Sequence, residues 1–382
     1  MILHLVSDEK FIDNAIWQFE SVLPDNNVYV ALMQNKTNEL KYIKNTKKVK
    51  RIIIESNEYF NLINEFNKYN AVILHNLDYD KARLVNKSSK EIIFYWIVWG
   101  MELYSINRLK KSLLQKKTVK YFINNRVLYG FKNKFRSVKY FFKGKPPIES
   151  TLIKAFSRVD YCSAFYASAQ YFLESKFKIK PNYFKFTYYP IEYILGDLIN
   201  SNISNNNILL GNSSSLSNNH IEIIEQLSKM RIDDKCNIIC PLNYGDPLYR
   251  KKLIKYSTQY LGDKFLPLLN FMPLNKYNEI LKTCSIAIMN HLRPQAFGNI
   301  VTMLWLGAKV YLNEENYLYS GLKENGIILF SITKDLMSED FLNTEPLDQQ
   351  AINNNRLILL KLFGKTSTLQ YVNNIISNIY SI

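Results

Sequence analysis

The sequence predicts an α/β protein built from two Rossmann-like domains. Short apolar runs rich in β-branched residues alternate with longer helical patterns, as they do where helices cover both faces of a parallel sheet. The chain has 382 residues, enough for two domains that each bury a core. Between the two sets of runs lies Asp197–Asn207, dominated by Asn and Ser, a composition that suits a linker.

In chain order, the expected strands of the first half are Ile2–Val6, Val28–Leu32, Lys50–Ile54, Ala71–His75, Ile92–Trp99 and Tyr161–Ser163. Helical stretches such as Phe11–Val22 and Tyr59–Lys68 separate several of them. In the second half Ile208–Leu210, Asn237–Pro241, Ile286–Met289, Lys309–Leu312 and Ile327–Phe330 read as strands. The helices between them fall at Asn219–Met230, Leu248–Tyr260, Lys276–Thr283 and Gly298–Leu306. The first residues, Met1–Asp8, lack a basic n-region and read as a first strand rather than a signal peptide. The strongest apolar run, Ile92–Trp99, is far short of the roughly 20 residues of a membrane-spanning helix.

Charge is unevenly distributed. Residues 1–195 hold 32 Lys and Arg against 17 Asp and Glu, while residues 196–382 hold 17 against 16. A genome-wide bias would act on both halves alike, so the asymmetry asks for a physical cause. Thirteen of the cations lie in 108–145, among them Lys110, Lys111, Lys116 and Lys117, with no acidic residue and many interleaved aromatics. That pattern suits a peripheral contact with an anionic membrane surface; a solvated helical face is the plainer alternative. A basic nucleic-acid-binding protein is a second functional reading of the same charge. No groove-reading helix or zinc finger accompanies it, so no nucleic-acid partner is expected. The four cysteines, Cys162, Cys236, Cys240 and Cys284, are too few and too dispersed for a disulfide framework and read as buried thiols.

Four segments suggest chemistry. Leu209–Ser215 runs from a strand into a small-residue turn followed by a helix, which suits a pyrophosphate; Asn219 and Glu222 have capping-box spacing. The loop His291–Ile300 carries Arg293, Gln295, Gly298 and Asn299 between a strand and a helix, where a guanidinium fork and a helix N-terminus favour an anion. Glu314 and Glu315 follow a strand closely enough to hold ribose hydroxyls. Phe94–Tyr104 ends a buried strand in a Trp99-Gly100 corner with Glu102 beside it, a grouping that suits a sugar and a proton acceptor. Each has a plainer reading as a surface loop, a helix cap or core. Asp78-Tyr79-Asp80 also matches a metal-chelating DxD, but it follows a Rossmann-like strand and is set aside; no metal or cofactor is expected.

Together these segments resemble glycosyltransferase family 56, the TDP-N-acetylfucosamine:lipid II N-acetylfucosaminyltransferases of enterobacterial common antigen. The matching pieces are Trp96–Tyr104, Gly211–Ile221, a turn at Pro241–Tyr244 and Leu312–Asn316. The resemblance implies a GT-B fold, two Rossmann-like domains facing across a cleft. It also implies transfer of a 4-acetamido-4,6-dideoxyhexose from a TDP-sugar donor. The acceptor would be a polyprenyl-diphosphate-linked saccharide of common antigen or O-antigen, at the cytoplasmic face of the inner membrane. Carried over, Gly211, Asn212, Ser213, Ser217, Asn218, His220, Tyr244, Glu315 and Asn316 fall on the donor side, joined by Arg293, Gln295, Gly298 and Asn299. His75, Trp99, Gly100 and Tyr104 fall on the acceptor side. Glu102 or Asp8 is the expected general base. The expected domains are 1–195 for the acceptor, 208–366 for the nucleotide-sugar after a linker at 196–207, and a C-terminal helix 367–382 returning to the first domain.

Overall fold

The computed structural model describes residues 1–34, 39–104, 106, 111–122, 146–163, 168–336 and 342–381. Two compact units result, each around its own parallel sheet.

Among the described residues the first unit contains seven strands: β1 (Ile2–Val6), β2 (Asn27–Met33), β3 (Val49–Ile53), β4 (Ala71–His75), β5 (Phe94–Ile97), β6 (Tyr161–Ser163) and β7 (Asn182–Tyr183). Their order is β3-β2-β1-β4-β5-β6-β7 and every pairing is parallel. All five residues of β1 and of β4 are buried, which is why these strands read as near-continuous apolar runs, interrupted by His4 and ended by His75, rather than alternating ones. The C-terminal helix Lys365–Ser381 belongs to this unit. Its Val372, Ile375, Ile376 and Ile379 repeat at helical spacing and pack on Ile2, Phe19, Ile73 and Tyr95. Each such side chain, fully buried, contributes about 1.5–3 kcal/mol of transfer free energy.

The described residues of the second unit form six strands: β8 (Asn207–Leu210), β9 (Ile238–Pro241), β10 (Phe265–Leu268), β11 (Cys284–Met289), β12 (Lys309–Leu312) and β13 (Phe330–Ser331). Their order is β10-β9-β8-β11-β12-β13, again parallel throughout. The helix Phe297–Leu306 is buried continuously from Ile300 to Leu306, so it shows no polar face. It ends at Gly307, whose φ of +98° closes the helix where an added Cβ would strike Ile352 at 2.5 Å.

Two boundaries differ from the expected ones. The turn Lys111–Leu113 and helix Lys116–Phe122 lie in sequence between β5 and β6, yet they pack in the second unit. Tyr121 meets the Tyr256 ring at 4.6 Å and Phe122 the Tyr249 ring at 4.4 Å, so aromatic burial outweighs sequence neighbourhood. The expected linker 196–207 opens with a 3₁₀ turn over Gly196–Asn200 that buries Leu198. Trp305 Nε1 donates to the Ile199 carbonyl at 3.0 Å, and Arg356 donates to Ser201 O and Asn202 Oδ1. These contacts fix the start of that stretch on the second unit.

All four cysteines are buried free thiols, and burial pushes the Cys236 thiol up to about 11. Among the described residues no helix is long and apolar enough to cross a membrane, and no group of His, Cys, Asp and Glu could hold a metal ion.

Candidate functional site

In the second sheet the strand order reverses between β8 and β11, and in open α/β sheets ligands bind at the carboxyl ends of the strands at such a reversal. The turn after β8 supplies Gly211, Asn212 and Ser213. Gly211 has φ +65°, and a Cβ there would press on His220 Nε2 and stand 2.7 Å from Asn218 Oδ1. Only glycine fits both the conformation and the space.

Hydrogen bonds join the predicted residues into one group. Asn212 N donates to Asn218 Oδ1 at 2.9 Å, and Asn212 Nδ2 donates to the Tyr244 hydroxyl at 2.8 Å. Gln295 Nε2 donates to Asn212 Oδ1 at 3.0 Å, while Ser217 Oγ donates to Gln295 Oε1 at 2.9 Å. Asn218 Nδ2 returns to the Ser213 carbonyl and hydroxyl, both at 3.1 Å. His291, just after β11, had not been assigned a role from sequence. Its Nε2 lies 3.1 Å from Asn212 Oδ1 and 2.9 Å from Asn218 Oδ1, bridging the two strand ends. Burial, aided by the Arg293 charge, holds His291 well below the usual histidine range. His220 sits beneath the turn, its Nδ1 2.7 Å from the Tyr249 hydroxyl, and burial lowers it to about 3.

The residues expected near the ribose connect to the same group. Asn313 Nδ2 donates to Asn290 Oδ1 at 2.9 Å, and Glu315 N donates to Asn313 Oδ1 at 3.0 Å. The Glu315 residue is exposed; Asn316 is buried and caps the helix Tyr317–Glu324 by accepting from Leu318 N at 3.0 Å. Glu314 is tied to Ser331 and Thr333, a local role.

Arg293 lies half-buried before the helix Phe297–Leu306, whose first turn has no side-chain cap. Asn299 Nδ2 donates to the Tyr277 hydroxyl at 2.9 Å. Gly298 is exposed on this helix, and a Cβ there would meet nothing within 4 Å. No protein atom therefore requires glycine at 298.

In the first unit the Trp99-Gly100 corner is held by Glu102. Its Oε1 accepts from Trp99 N at 2.9 Å and Trp96 Nε1 at 3.1 Å, and burial raises its pKa despite those donors. Gly100 takes φ +93° at the corner, and Tyr104 is buried edge-on against Phe172 at 5.0 Å. Trp99 is half-buried, its Nε1 donating to the Tyr188 hydroxyl at 2.8 Å.

Several expectations are corrected here. His75 does not face an open surface: it is fully buried, with Nδ1 2.9 Å from the Tyr188 hydroxyl and Nε2 3.1 Å from His4 Nδ1. Asn27 Oδ1, 3.3 Å from His4 Nε2, can only accept, so each imidazole carries its proton on Nε2 and the Tyr188 hydroxyl donates to His75 Nδ1. The Asp8 carboxylate is committed to the backbone N–H groups of Lys41, Tyr42 and Ile43 at 2.6–3.0 Å, an anchor for that loop rather than a free base. Asn219 and Glu222 do not form a capping box. Asn219 is left-handed without a side-chain cap, and Glu222 accepts from Thr118 N and Oγ1 instead. Asp78 caps the helix Tyr79–Lys87 through Asp80 N and Lys81 N and pairs with Lys81 Nζ at 2.9 Å, which accounts for the DxD match. Of the basic residues singled out, Lys116 and Lys117 are exposed and Lys117 pairs with Glu225. Lys110 and the Lys111 side chain lie outside the described residues, as do 123–145.

Comparison with known proteins decides the class. Residues 155–361, more than half of the chain, match the family described as 4-alpha-L-fucosyltransferase, glycosyl transferase group 56. The chain belongs to this family. It is therefore a glycosyltransferase enzyme of family 56. Solved structures agree on the fold. A glycosyltransferase from Rickettsia africae superposes with TM-score 0.58 at 15% identity, covering 99% of this chain and 98% of its own. HepE from Anabaena, in complex with UDP and glucose, gives 0.58 at 11% identity over 100% and 99%. An alpha,alpha-trehalose-phosphate synthase (UDP-forming) from Burkholderia vietnamiensis gives 0.59 at 9% over 100% of both chains. The family 56 enzyme thus has the GT-B fold of two Rossmann-like units.

Proposed function

We propose that this glycosyltransferase moves a 4-acetamido-4,6-dideoxyhexose from a TDP-sugar to a polyprenyl-diphosphate-linked saccharide. The observation that carries the donor half is the convergence of Gly211, Asn212, Ser217, Asn218, Gln295 and His291 at the strand-order reversal of the second unit. The uncapped helix at Phe297 and the guanidinium of Arg293 adjoin it, and both favour the charge that grows on a departing diphosphate. In the reaction the acceptor hydroxyl attacks the anomeric carbon, the bond to the diphosphate breaks, and the hydroxyl proton passes to a base. Glu102 is the carboxyl assigned to that proton, because its raised pKa suits a base and Asp8 is taken up by three amides.

The family 56 motifs support TDP and a dideoxy amino sugar, in common antigen or O-antigen synthesis. A lipid-linked acceptor places the enzyme at the cytoplasmic face of the inner membrane, and the thirteen cations of 108–145 support attachment to an anionic leaflet. The test is a panel of TDP-, UDP- and GDP-sugars, read by thermal stabilisation and by transfer to a polyprenyl-diphosphate saccharide. Stabilisation and transfer confined to TDP-sugars are expected. Response to none of the three nucleotides would overturn the donor reading. Flotation with anionic but not neutral vesicles tests the membrane arm.

A further inference from the structure

The segment Lys111–Phe122 departs from the first unit's sequence to pack under the donor loops, and its contacts are specific rather than merely apolar. Gln115 N donates to Asn219 Oδ1 at 2.9 Å, and Asn219 Nδ2 donates to the Leu113 carbonyl at 3.2 Å and the Asn290 carbonyl at 3.1 Å. Asn290 Nδ2 donates to Gln115 Oε1 at 2.7 Å and to the Asn219 carbonyl at 3.1 Å. One glutamine thus ties the end of the β8 loop to the residue that follows β11. Thr118 fastens the helix His220–Leu227 through both oxygens of Glu222, at 2.9 and 2.6 Å. Asn219, with φ +48° and no exposed surface, holds a strained conformation that these bonds maintain.

We propose that Gln115 and Thr118 are positioning residues of the donor site. They fix the spacing between the Gly211–His220 turn and the His291–Asn299 loop, so that nucleotide affinity depends on a segment outside both loops. The inference rests on the donor-site reading above. Because Gln115 is half-buried and bonded to the buried Asn219 and Asn290, its role is read by substitutions that keep its length. Gln115→Met removes the acceptor for Asn290, whereas Gln115→Glu retains one.

The experiment measures binding of TDP, UDP and GDP and the donor KM and kcat on the full chain. Gln115→Met and, separately, Thr118→Val should weaken nucleotide binding and raise donor KM about tenfold, the scale of one buried polar group left unpaired. At saturating donor, kcat should stay within about threefold, and Gln115→Glu should restore most of the affinity. Unchanged donor KM in both variants, or a fall in kcat with KM unchanged, would overturn the positioning role while leaving the donor site intact. Wild-type protein that binds none of the three nucleotides would instead refute the donor reading itself. Thr118→Val keeps the test decisive where Gln115→Met does not fold.

Discussion

His291 Nε2 stands 2.9 Å from the amide oxygen of Asn218, an oxygen already fixed as an acceptor by the backbone N–H of Asn212. The imidazole must therefore donate from Nε2, and burial keeps it neutral. His291 is thus the pin between the β8 turn and the end of β11. Replacing it with alanine removes one donor from each of two buried amide oxygens that keep Asn212 N and Gln295 Nε2, about 0.5–1.5 kcal/mol for each lost hydrogen bond. His291→Ala is expected to raise donor KM about tenfold or more. A donor KM equal to wild type would mean the two loops hold their shape without it.

The two glycines expected on the donor side, Gly211 and Gly298, make different predictions. Gly211→Ala combines a left-handed backbone with a Cβ forced onto His220 and Asn218, for roughly 2–4 kcal/mol of destabilisation. Gly298→Ala meets no protein atom and lies in a helix, so it should be neutral or stabilising by up to about 1 kcal/mol. Thermal unfolding of both variants checks the contrast. A rise in donor KM for Gly298→Ala at undiminished stability would show that the ligand itself approaches that backbone. Equal stability losses in the two variants would contradict the geometry.

Much of this architecture is visible in the chain. Ile2–Val6, Ala71–His75 and Tyr161–Ser163 appear at their expected limits, because strands of a parallel sheet covered by helices are written as short, largely apolar runs. The strand Phe265–Leu268 was missed: Pro267 interrupts it, and as an edge strand it is only partly buried. The strap Lys111–Phe122 reads as part of the first domain because it lies in sequence between β5 and β6, whereas its packing depends on Tyr249, Tyr256 and Glu222 more than a hundred residues away. The Gly211–His220 turn was legible from its small residues and its place after a strand. His75 misled for the same reason: a polar residue at a strand end resembles a site residue until a second buried histidine, His4, is found beside it.

Acid sensitivity follows from the histidines. The chain has four, and all are buried. Burial lowers His4 and His220 to about 3 from 6.5, and His75 and His291 well below 6.5. Below pH 6.5 the unfolded chain takes up protons that the folded chain refuses, so this stability is complete above pH 6.5 and is lost as pH falls towards 3. Near pH 5 His4 and His220 each forfeit about 2 kcal/mol, one in each unit, and His75 and His291 add to the loss in the same direction. Glu102, raised by burial, has the opposite sign: its contribution is lost as pH rises through its folded pKa. Denaturant midpoints should fall steeply between pH 7 and pH 5. A flat profile would refute neutral burial of the four rings.

Arg293 tests the diphosphate charge directly. Arg293→Ala is expected to raise donor KM and lower kcat, about 2–4 kcal/mol in kcat/KM, if the guanidinium meets the leaving group. Arg293→Lys should recover part of the loss, because a point charge replaces a planar fork. Steady-state kinetics indistinguishable from wild type would make this arginine a surface residue.

Glu102 has a structural duty and an assigned chemical one, and two substitutions separate them. Gln keeps an oxygen to accept from Trp99 N and Trp96 Nε1, so the corner should survive Glu102→Gln. Leu removes the acceptor and leaves a buried indole N–H and a backbone N–H unpaired, about 1–3 kcal/mol for each. If Glu102 receives the acceptor proton, Glu102→Gln should cut kcat by roughly 10²–10⁴ with nucleotide affinity and melting temperature nearly unchanged. Its acid limb should also mark a pKa above the ordinary carboxyl range in wild type, and vanish in the variant, because burial favours the protonated form. Full activity in Glu102→Gln beside a destabilised Glu102→Leu would confine this residue to holding the corner. The base would then have to be sought elsewhere than at either carboxylate singled out from the sequence, since Asp8 already spends its oxygens on three backbone amides.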